Sequence, residues 1–113
     1  MGYRTINLEA GMPTAEAARS RLSQELISAR ARGVKALKII HGYGSSGKGG
    51  AIKREVHNLL NQKKRSGMIR EYVAGEDFSP FGAAARRAIE LYPQLSRDSD
   101  YSRGNDGVTI VVF

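Results

Sequence analysis

The sequence predicts an α/β fold, a two-layer α/β sandwich in the order β-α-β-α-β-(α)-β with a mixed four-stranded sheet. Short apolar segments alternate with long stretches whose apolar residues recur every three or four positions, which is the pattern of strands and helices. The first strand, helix and second strand form a right-handed unit, so these two strands should be parallel. At 113 residues, of which 41% are apolar, the chain should form one domain.

The N-terminal third contains the first strand and the first helix. Residues 4–8 alternate between polar and apolar side chains, as a short strand does. Pro13 and Thr14 are signals for the start of a helix, and Gly33 is the signal for its end. Between them, one helical face is apolar and comprises Ala15, Ala18, Leu22, Leu26 and Ala29.

The middle of the chain contains the second strand and the second helix. Residues 34–40 are a nearly continuous apolar run, which predicts a central strand. The helix that follows carries its apolar face on Ile52, Val56, Leu59 and Leu60, and it should end near Gly67. His57 lies off that face, so it is predicted to be a surface histidine.

Two further strands complete the predicted sheet, at residues 68–74 and 106–113. The last one is apolar on both faces, which predicts that helices cover it from both sides. Residues 75–105, an insertion before this strand, are too long for a bare loop. A third helix is predicted there at residues 81–91. It should cover the face that exposes Val111 and Phe113, or else mediate a self-contact.

Charge is the strongest compositional signal. Eighteen Lys and Arg residues against eleven Asp and Glu give a net charge of +7, which is typical of proteins that bind polyanions. A basic surface without a partner is the alternative. With no cysteine and no His, Asp or Glu cluster at metal-ligand spacing, neither a metal nor a cofactor is expected. No apolar run could span a membrane and no signal peptide is evident, so a cytoplasmic location is predicted.

A glycine-rich loop links the second strand to the second helix. Residues 39–50 read Ile-Ile-His-Gly-Tyr-Gly-Ser-Ser-Gly-Lys-Gly-Gly and contain five glycines. Glycine lets amide groups converge on one point, and a helix that starts there adds its unpaired N–H groups and its positive dipole end. This combination predicts an anion site, most simply for phosphate.

Two nucleotide motifs almost match this loop. Gly42, Gly44 and Gly47 fit G-x-G-x-x-G, but the chain is too short for a dinucleotide-binding domain. Residues 42–48 fit G-x-x-x-x-G-K, but Gly49 replaces the hydroxyl residue that magnesium binding requires. A tight turn with no ligand is a further alternative.

The loop and its flanks resemble those of Smr (small MutS-related) domains. Residues 39–44 and 51–56 resemble the His-Gly-x-Gly signature and its helix, and residues 107–113 resemble the last Smr strand. The resemblance implies the fold predicted above and a DNA or RNA partner, and many Smr domains cleave that partner. The C-terminal domain of bacterial translation initiation factor three has a similar layout and binds RNA. A homodimer, or a place in larger repair or translation machinery, stays open.

Catalysis in Smr domains is attributed to the Asp and His of a Leu-Asp-x-His motif, and residues 6–9 occupy its place here. Asn7 and Glu9 stand at those two positions, and Asn cannot act as a base. Glu9 and His41 are therefore the candidate catalytic residues, although His41 could be structural. The sequence predicts that cleavage is weakened or absent. The alternatives are a DNA-nicking or RNA-cleaving endonuclease with a shifted site that also uses Glu55, and a protein-interaction module for an acidic partner.

The predicted nucleic-acid contacts combine the loop with nearby basic residues. Lys48, Lys53 and Arg54 should meet phosphates at the start of the second helix. Tyr43 should either stack on a base or pack over the loop. The full predicted set is His41, Gly42, Tyr43, Gly44, Gly47, Lys48, Lys53, Arg54, Lys35 and Lys38.

Overall fold

The computed structural model describes residues 2–11, 13–43 and 48–113. Its helices and strands are β1 (Tyr3–Asn7), α1 (Ala15–Ala31), β2 (Ala36–Ile40), α2 (Lys48–Arg65), β3 (Glu71–Ala74), α3 (Ala83–Leu91) and β4 (Val108–Val112). Short 3₁₀ helices lie at Gly75–Asp77 and Pro93–Arg97. The predicted element order and the predicted α/β sandwich are therefore confirmed.

The four strands form one mixed sheet in the order β1-β2-β4-β3. β1 and β2 are parallel, with Ile6 opposite Ile39, as the handedness rule predicts. β4 is antiparallel to both of its neighbours, so β3 runs in the direction of β1 and β2. The ends of β1, β2 and β3 and the start of β4 consequently meet at one edge, which we call the carboxyl edge.

The first two helices cover one face of the sheet. Thr14 caps α1 by accepting a hydrogen bond from the Ala17 amide at 3.1 Å, and α1 buries the predicted residues Ala18, Leu22, Leu26 and Ala29. Gly33 and Gly67 follow the two helices with φ angles of +76° and +80°, a conformation that favours glycine. The core on this face comprises Ile6, Leu8, Ala18, Leu22, Leu26, Leu37, Ile39, Ile52, Val56, Leu59, Leu60, Ile69 and Val111.

The third helix covers the opposite face of the sheet, which confirms that part of the prediction. With the 3₁₀ helix at Pro93–Arg97, it encloses a second core of Ala36, Val73, Phe78, Ala85, Ala88, Leu95, Ile110 and Val112. Val111 and Phe113 instead pack against the core beneath α1 and α2. The prediction of which β4 residues face α3 was therefore wrong, since it placed Val111 and Phe113 on the face beneath α3.

Candidate nucleic-acid interface

Four chain segments meet at the carboxyl edge and hold the candidate residues there. The amide of Leu8, just after β1, donates to the carbonyl of Ile40 at 2.8 Å. The amides of His41 and Gly42 both donate to the carbonyl of Gly107, at 3.0 and 3.1 Å. The start of β4 is thus bonded directly to the His-Gly signature, and β1 leads into the same place.

His41 is fully buried at this edge, and both of its ring nitrogens are engaged. Nδ1 lies 3.0 Å from the carbonyl oxygen of Gly42, which can only accept, so Nδ1 carries the proton. Nε2 lies 2.8 Å from Oγ1 of Thr109 and accepts from that hydroxyl. Burial, the largest influence, lowers the pKa of His41, although the bond to Gly42 opposes this change. The ring is therefore neutral near pH 7.

His57 continues the same hydrogen-bonded chain. Its Nε2 lies 3.0 Å from Oγ1 of Thr109, and because the threonine proton is directed to His41, His57 is the donor. The two imidazole centroids lie 6.1 Å apart with an interplanar angle of 87°. Burial lowers the pKa of His57, and the charge of Lys53 lowers it further. His57 is half-buried, so the prediction of a surface histidine was wrong.

Asn7 and Glu9, which stand where Smr domains carry Asp and His, have different surroundings. Oδ1 of Asn7 accepts hydrogen bonds from the amides of Glu9 at 2.8 Å and Ala10 at 3.2 Å, which closes the turn after β1. Glu9 is exposed, and its carboxylate lies against Gly42. Gly42 has a φ angle of +85°, and a side chain there would collide with Glu9. Asn7 therefore supports the turn, and Glu9 is the exposed carboxylate.

Tyr43 extends the signature segment toward solvent. Its side chain is 58% exposed, and a Cβ on Gly107 would lie 3.4 Å from its ring. One part of the ring thus packs over Gly107 while the rest remains open. Gly44 and Gly47, also predicted contacts, lie outside the described residues, and Lys48 is the first residue of α2.

Lys53 and Arg54 lie near the start of α2, beside the carboxyl edge. Nζ of Lys53 donates to Oε2 of Glu76 at 2.7 Å and to the carbonyl of Asp106 at 3.1 Å. Although burial opposes the change, the bond from Lys53 lowers the pKa of Glu76. Arg54 is exposed and has no ion-pair partner among the described residues. Sequence analysis missed Glu76, although its place directly after β3 puts it at this edge.

The structure does not bring every predicted basic residue to the carboxyl edge. Lys35 precedes β2 and lies at the opposite edge. Lys38, within β2, does reach this edge, because it lines a cavity of about 170 Å³ with Glu9 and Tyr43. It is 11% exposed and forms ion pairs with Asp98, at 3.0 Å, and with Asp100. Burial alone would lower the pKa of Lys38, but its bonds to the two carboxylates raise it. Glu55 pairs with Arg19 of α1 at 3.2 Å.

The comparison with known protein families identifies the domain. Residues 10–78 match the sequence profile of the Smr domain, and this match covers more than half of the chain. The chain belongs to the Smr domain family. Smr domains generally bind nucleic acid. The match contains the His-Gly-Tyr segment and all of α2, and it ends before α3.

A solved Smr domain shares this fold. The crystal structure of the Smr domain of Thermus thermophilus MutS2 superposes with a TM-score of 0.58. The two chains are 23% identical, and the similarity covers 96% of this chain and 95% of that one. At this identity the likeness concerns the fold alone. No curated protein has a significant sequence match to this Smr domain.

The described parts of the chain contain neither a membrane-spanning helix nor a cluster of metal-binding side chains. Within residues 2–11, 13–43 and 48–113, no helix has both the length and the apolar character needed to cross a membrane. In those same ranges, His, Asp and Glu side chains form no group of three or more that could hold a metal ion.

Proposed function

We propose that this Smr domain binds DNA or RNA by contacting the phosphate backbone with its glycine-rich loop and the basic residues that follow it. The observation that carries the proposal is the position of Lys53 and Arg54. Both lie near the start of α2, and the bond from Lys53 to the carbonyl of Asp106 holds that helix against the carboxyl edge. Lys48, as the first residue of α2, completes the proposed phosphate-binding set.

The charges at this edge are compatible with reversible phosphate binding. Arg54 is exposed, so it can meet a phosphate without first breaking an ion pair within the described residues. Lys53 is paired with Glu76, whose side chain is 43% exposed and can move away when a phosphate approaches. The net charge of +7 attracts a polyanion over longer distances. Tyr43 adds an exposed aromatic surface on which a base could stack.

We also propose that cleavage is weakened or absent. A general base needs an ionisable atom that can reach the substrate, and the amide of Asn7 supplies none. His41 is buried with both nitrogens engaged, so it cannot exchange a proton with a substrate without rearranging the edge. Glu9 is the remaining candidate from the sequence, and its exposed carboxylate would repel an approaching phosphate.

Binding and cleavage are tested together with labelled nucleic acids. Fluorescence anisotropy at low salt, with duplex DNA, single-stranded DNA and hairpin RNA, should show binding that weakens steeply as salt is added. Electrophoresis of the same substrates and of supercoiled plasmid, with and without EDTA, should show little or no cleavage. Absence of binding to all these substrates at low salt would contradict the proposed function. Rapid cleavage by the wild-type chain that disappears in a Glu9→Gln variant would contradict the proposal that cleavage is weakened or absent.

A further inference from the structure

Two cavities adjoin the polar face of α2 and share His57, and we call them together the α2 groove. Its near end is a cavity of about 430 Å³ lined by Gly50, Lys53, Arg54, His57 and Asn58. Its far end is a cavity of about 330 Å³ between α2, β3 and the start of α3, and His57 lines both. At 1.5 Å per residue, the helix runs for about 21 Å from Gly50 to Lys64, so the groove is long enough for several linked groups of a polymer.

The cavity at the far end, the α2 pocket, presents unused hydrogen-bonding groups. The Tyr72 hydroxyl donates to Oδ1 of Asn61 at 2.5 Å, which leaves the amide N–H groups of Asn61 without a partner among the described residues. The carboxylate of Asp77 and Nδ1 of His57 likewise have no hydrogen-bond partner there. The Tyr72 ring forms an aromatic wall of this pocket, and its centroid lies 5.5 Å from that of the His57 ring. The pocket thus combines a hydrogen-bond donor from Asn61, two acceptors from Asp77 and His57, and the flat ring of Tyr72.

We propose that the α2 pocket binds one unpaired base of a single-stranded DNA or RNA segment whose backbone follows the α2 groove. This inference rests on the proposed function and specifies its substrate. The edge of a base offers N–H donors, ring acceptors and a flat face, which match the groups of the pocket. A base within a duplex is stacked and paired, so it cannot enter without being flipped out. A volume of about 330 Å³ suits one base.

Asp77 gives the pocket a preference among bases. A carboxylate accepts a hydrogen bond from an exocyclic amino group, which cytosine, adenine and guanine carry and which thymine and uracil lack. The same carboxylate repels phosphate, so it favours an arrangement in which the base, and not the backbone, faces the pocket. Cytosine should consequently bind better than thymine.

The basic residues of α2 lie where the backbone would enter and leave. Lys53 and Arg54 line the near cavity. At the far end, Glu71 is 4% exposed, with Lys64 at 2.9 Å and Arg87 at 3.7 Å from its carboxylate oxygens. Lys64 and Arg87 together exceed the charge of Glu71 by one, and Asp77, which lines the same cavity, brings the sum of these four charges to zero. An acidic peptide would be drawn to Lys53 and Arg54 at the near end, but its carboxylates would be repelled by Asp77 in the α2 pocket.

Phe81 provides a stacking surface for a neighbouring base. Its side chain is 91% exposed, and it lies in the turn between Asp77 and Ala84, which both line the α2 pocket. The turn is held by bonds from the Ser79 amide to the Asp77 carbonyl at 2.9 Å and from the Gly82 amide to the Ser79 carbonyl at 3.2 Å. The Phe81 amide also donates to Oγ of Ser79 at 3.3 Å. An ordered turn thus presents an aromatic ring to solvent, as single-strand binders do.

The test compares short fluorescein-labelled dC and dT homopolymers and a duplex by anisotropy, with circular dichroism confirming that each variant is folded. The wild-type chain should bind dC more tightly than dT, and either more tightly than the duplex. Phe81→Ala should weaken single-strand binding by about fivefold or more, because base stacking contributes at least that factor. Ile27→Ala, which removes an exposed apolar side chain from α1, is the matched control and should change nothing.

Asp77→Asn tests the pocket itself. This substitution preserves the shape of the side chain and adds a donor that can pair with thymine, so the ratio of dC to dT affinity should fall toward one. The wild-type chain could instead bind dC, dT and duplex equally, with neither Phe81→Ala nor Asp77→Asn changing the affinities. That result would contradict base binding in the α2 pocket and would leave the proposed function intact. Failure of the wild-type chain to bind any of the three probes at low salt would instead overturn the proposed function.

Discussion

The hydroxyl of Thr109 lies 2.8 Å from Nε2 of His41 and connects the first residue of the His-Gly signature to the final strand. The same hydroxyl accepts from His57 on α2. One buried side chain of β4 therefore links the segment after β2 to the helix that carries Lys53 and Arg54.

Replacing Thr109 with Val should destabilise the fold while keeping the side chain's shape. It would leave buried His41 without a donor for Nε2 and His57 without its acceptor, at a cost of about 1–3 kcal/mol in the free energy of unfolding. Urea denaturation followed by circular dichroism measures this cost. Thr109→Ser keeps the hydroxyl and is the matched control. If Val and Ser variants unfold at the same urea concentration as the wild-type chain, the hydrogen-bonded chain does not stabilise the domain.

The lowered pKa values of His41 and His57 should make stability depend on pH in the mildly acidic range. Their pKa values are lower in the folded chain than the unfolded value of about 6.5. The unfolded chain therefore binds more protons below that pH, and the free energy of unfolding should fall as pH drops from about 6.5 toward the folded pKa values. The slope should not exceed about 1.4 kcal/mol per pH unit for each histidine.

A His57→Gln variant isolates one of these contributions. Urea midpoints measured between pH 7 and pH 5 should depend less on pH than those of the wild-type chain, because one titrating group has been removed. The lowered pKa of Glu76 also makes stability fall with pH, but only in the more acidic range in which carboxylates become protonated. A wild-type stability that is constant across this range would show that neither histidine is held neutral.

Glu76→Gln should strengthen nucleic-acid binding. The substitution releases Lys53 from its 2.7 Å ion pair, so that a phosphate no longer competes with the carboxylate. Because exposed pairs contribute roughly 0.2–1 kcal/mol, the affinity should rise by up to about fivefold. Anisotropy at low salt measures this increase. Glu55→Gln, which removes the same charge from the pair with Arg19 between α1 and α2, should raise affinity less. Equal gains in both variants would point to net charge alone.

Lys38 should matter for stability and not for direct phosphate contact. Lys38→Met would leave Asp98 and Asp100 as uncompensated charges that are only 7% and 18% exposed, at a cost of about 3 kcal/mol or more. Urea denaturation should show this loss, and anisotropy on the folded variant should show an unchanged salt dependence. A stable Lys38→Met variant with a shallower salt dependence would restore Lys38 as a phosphate ligand.

The parts of the fold that follow from local patterns could be predicted from the sequence. The buried face of α1 was evident from spacing, and the parallel direction of the strands that contain Ile6 and Ile39 followed from the handedness rule. The sequence could not show which β4 residues face which helices. Both faces of this strand are apolar, so polar and apolar residues do not alternate along it. Sequence patterns show that such a strand is buried but not which helix covers which residues.

Partners distant in sequence account for most of what was missed at the site. Lys38 was predicted to contact nucleic acid, and nothing local showed that Asp98, on a polar segment far along the chain, would form an ion pair with it. His57 was assigned to the surface because its contact with Thr109 depends on how α2 packs over β4. Side-chain pairing of this kind is decided by tertiary packing, whereas the loop motif and the charge balance are visible locally.

The salt dependence of binding tests phosphate contact at the start of α2 most directly. The test compares two double variants. The first carries Lys53→Ala and Arg54→Ala, and the second carries Arg32→Ala and Lys35→Ala, which remove two exposed charges at the opposite edge of the sheet. We expect the first variant to bind every sequence more weakly, with a slope of log affinity against log salt shallower by about 1 to 2. The second should keep the wild-type slope. Identical slopes for the two double variants would contradict phosphate binding at the start of α2.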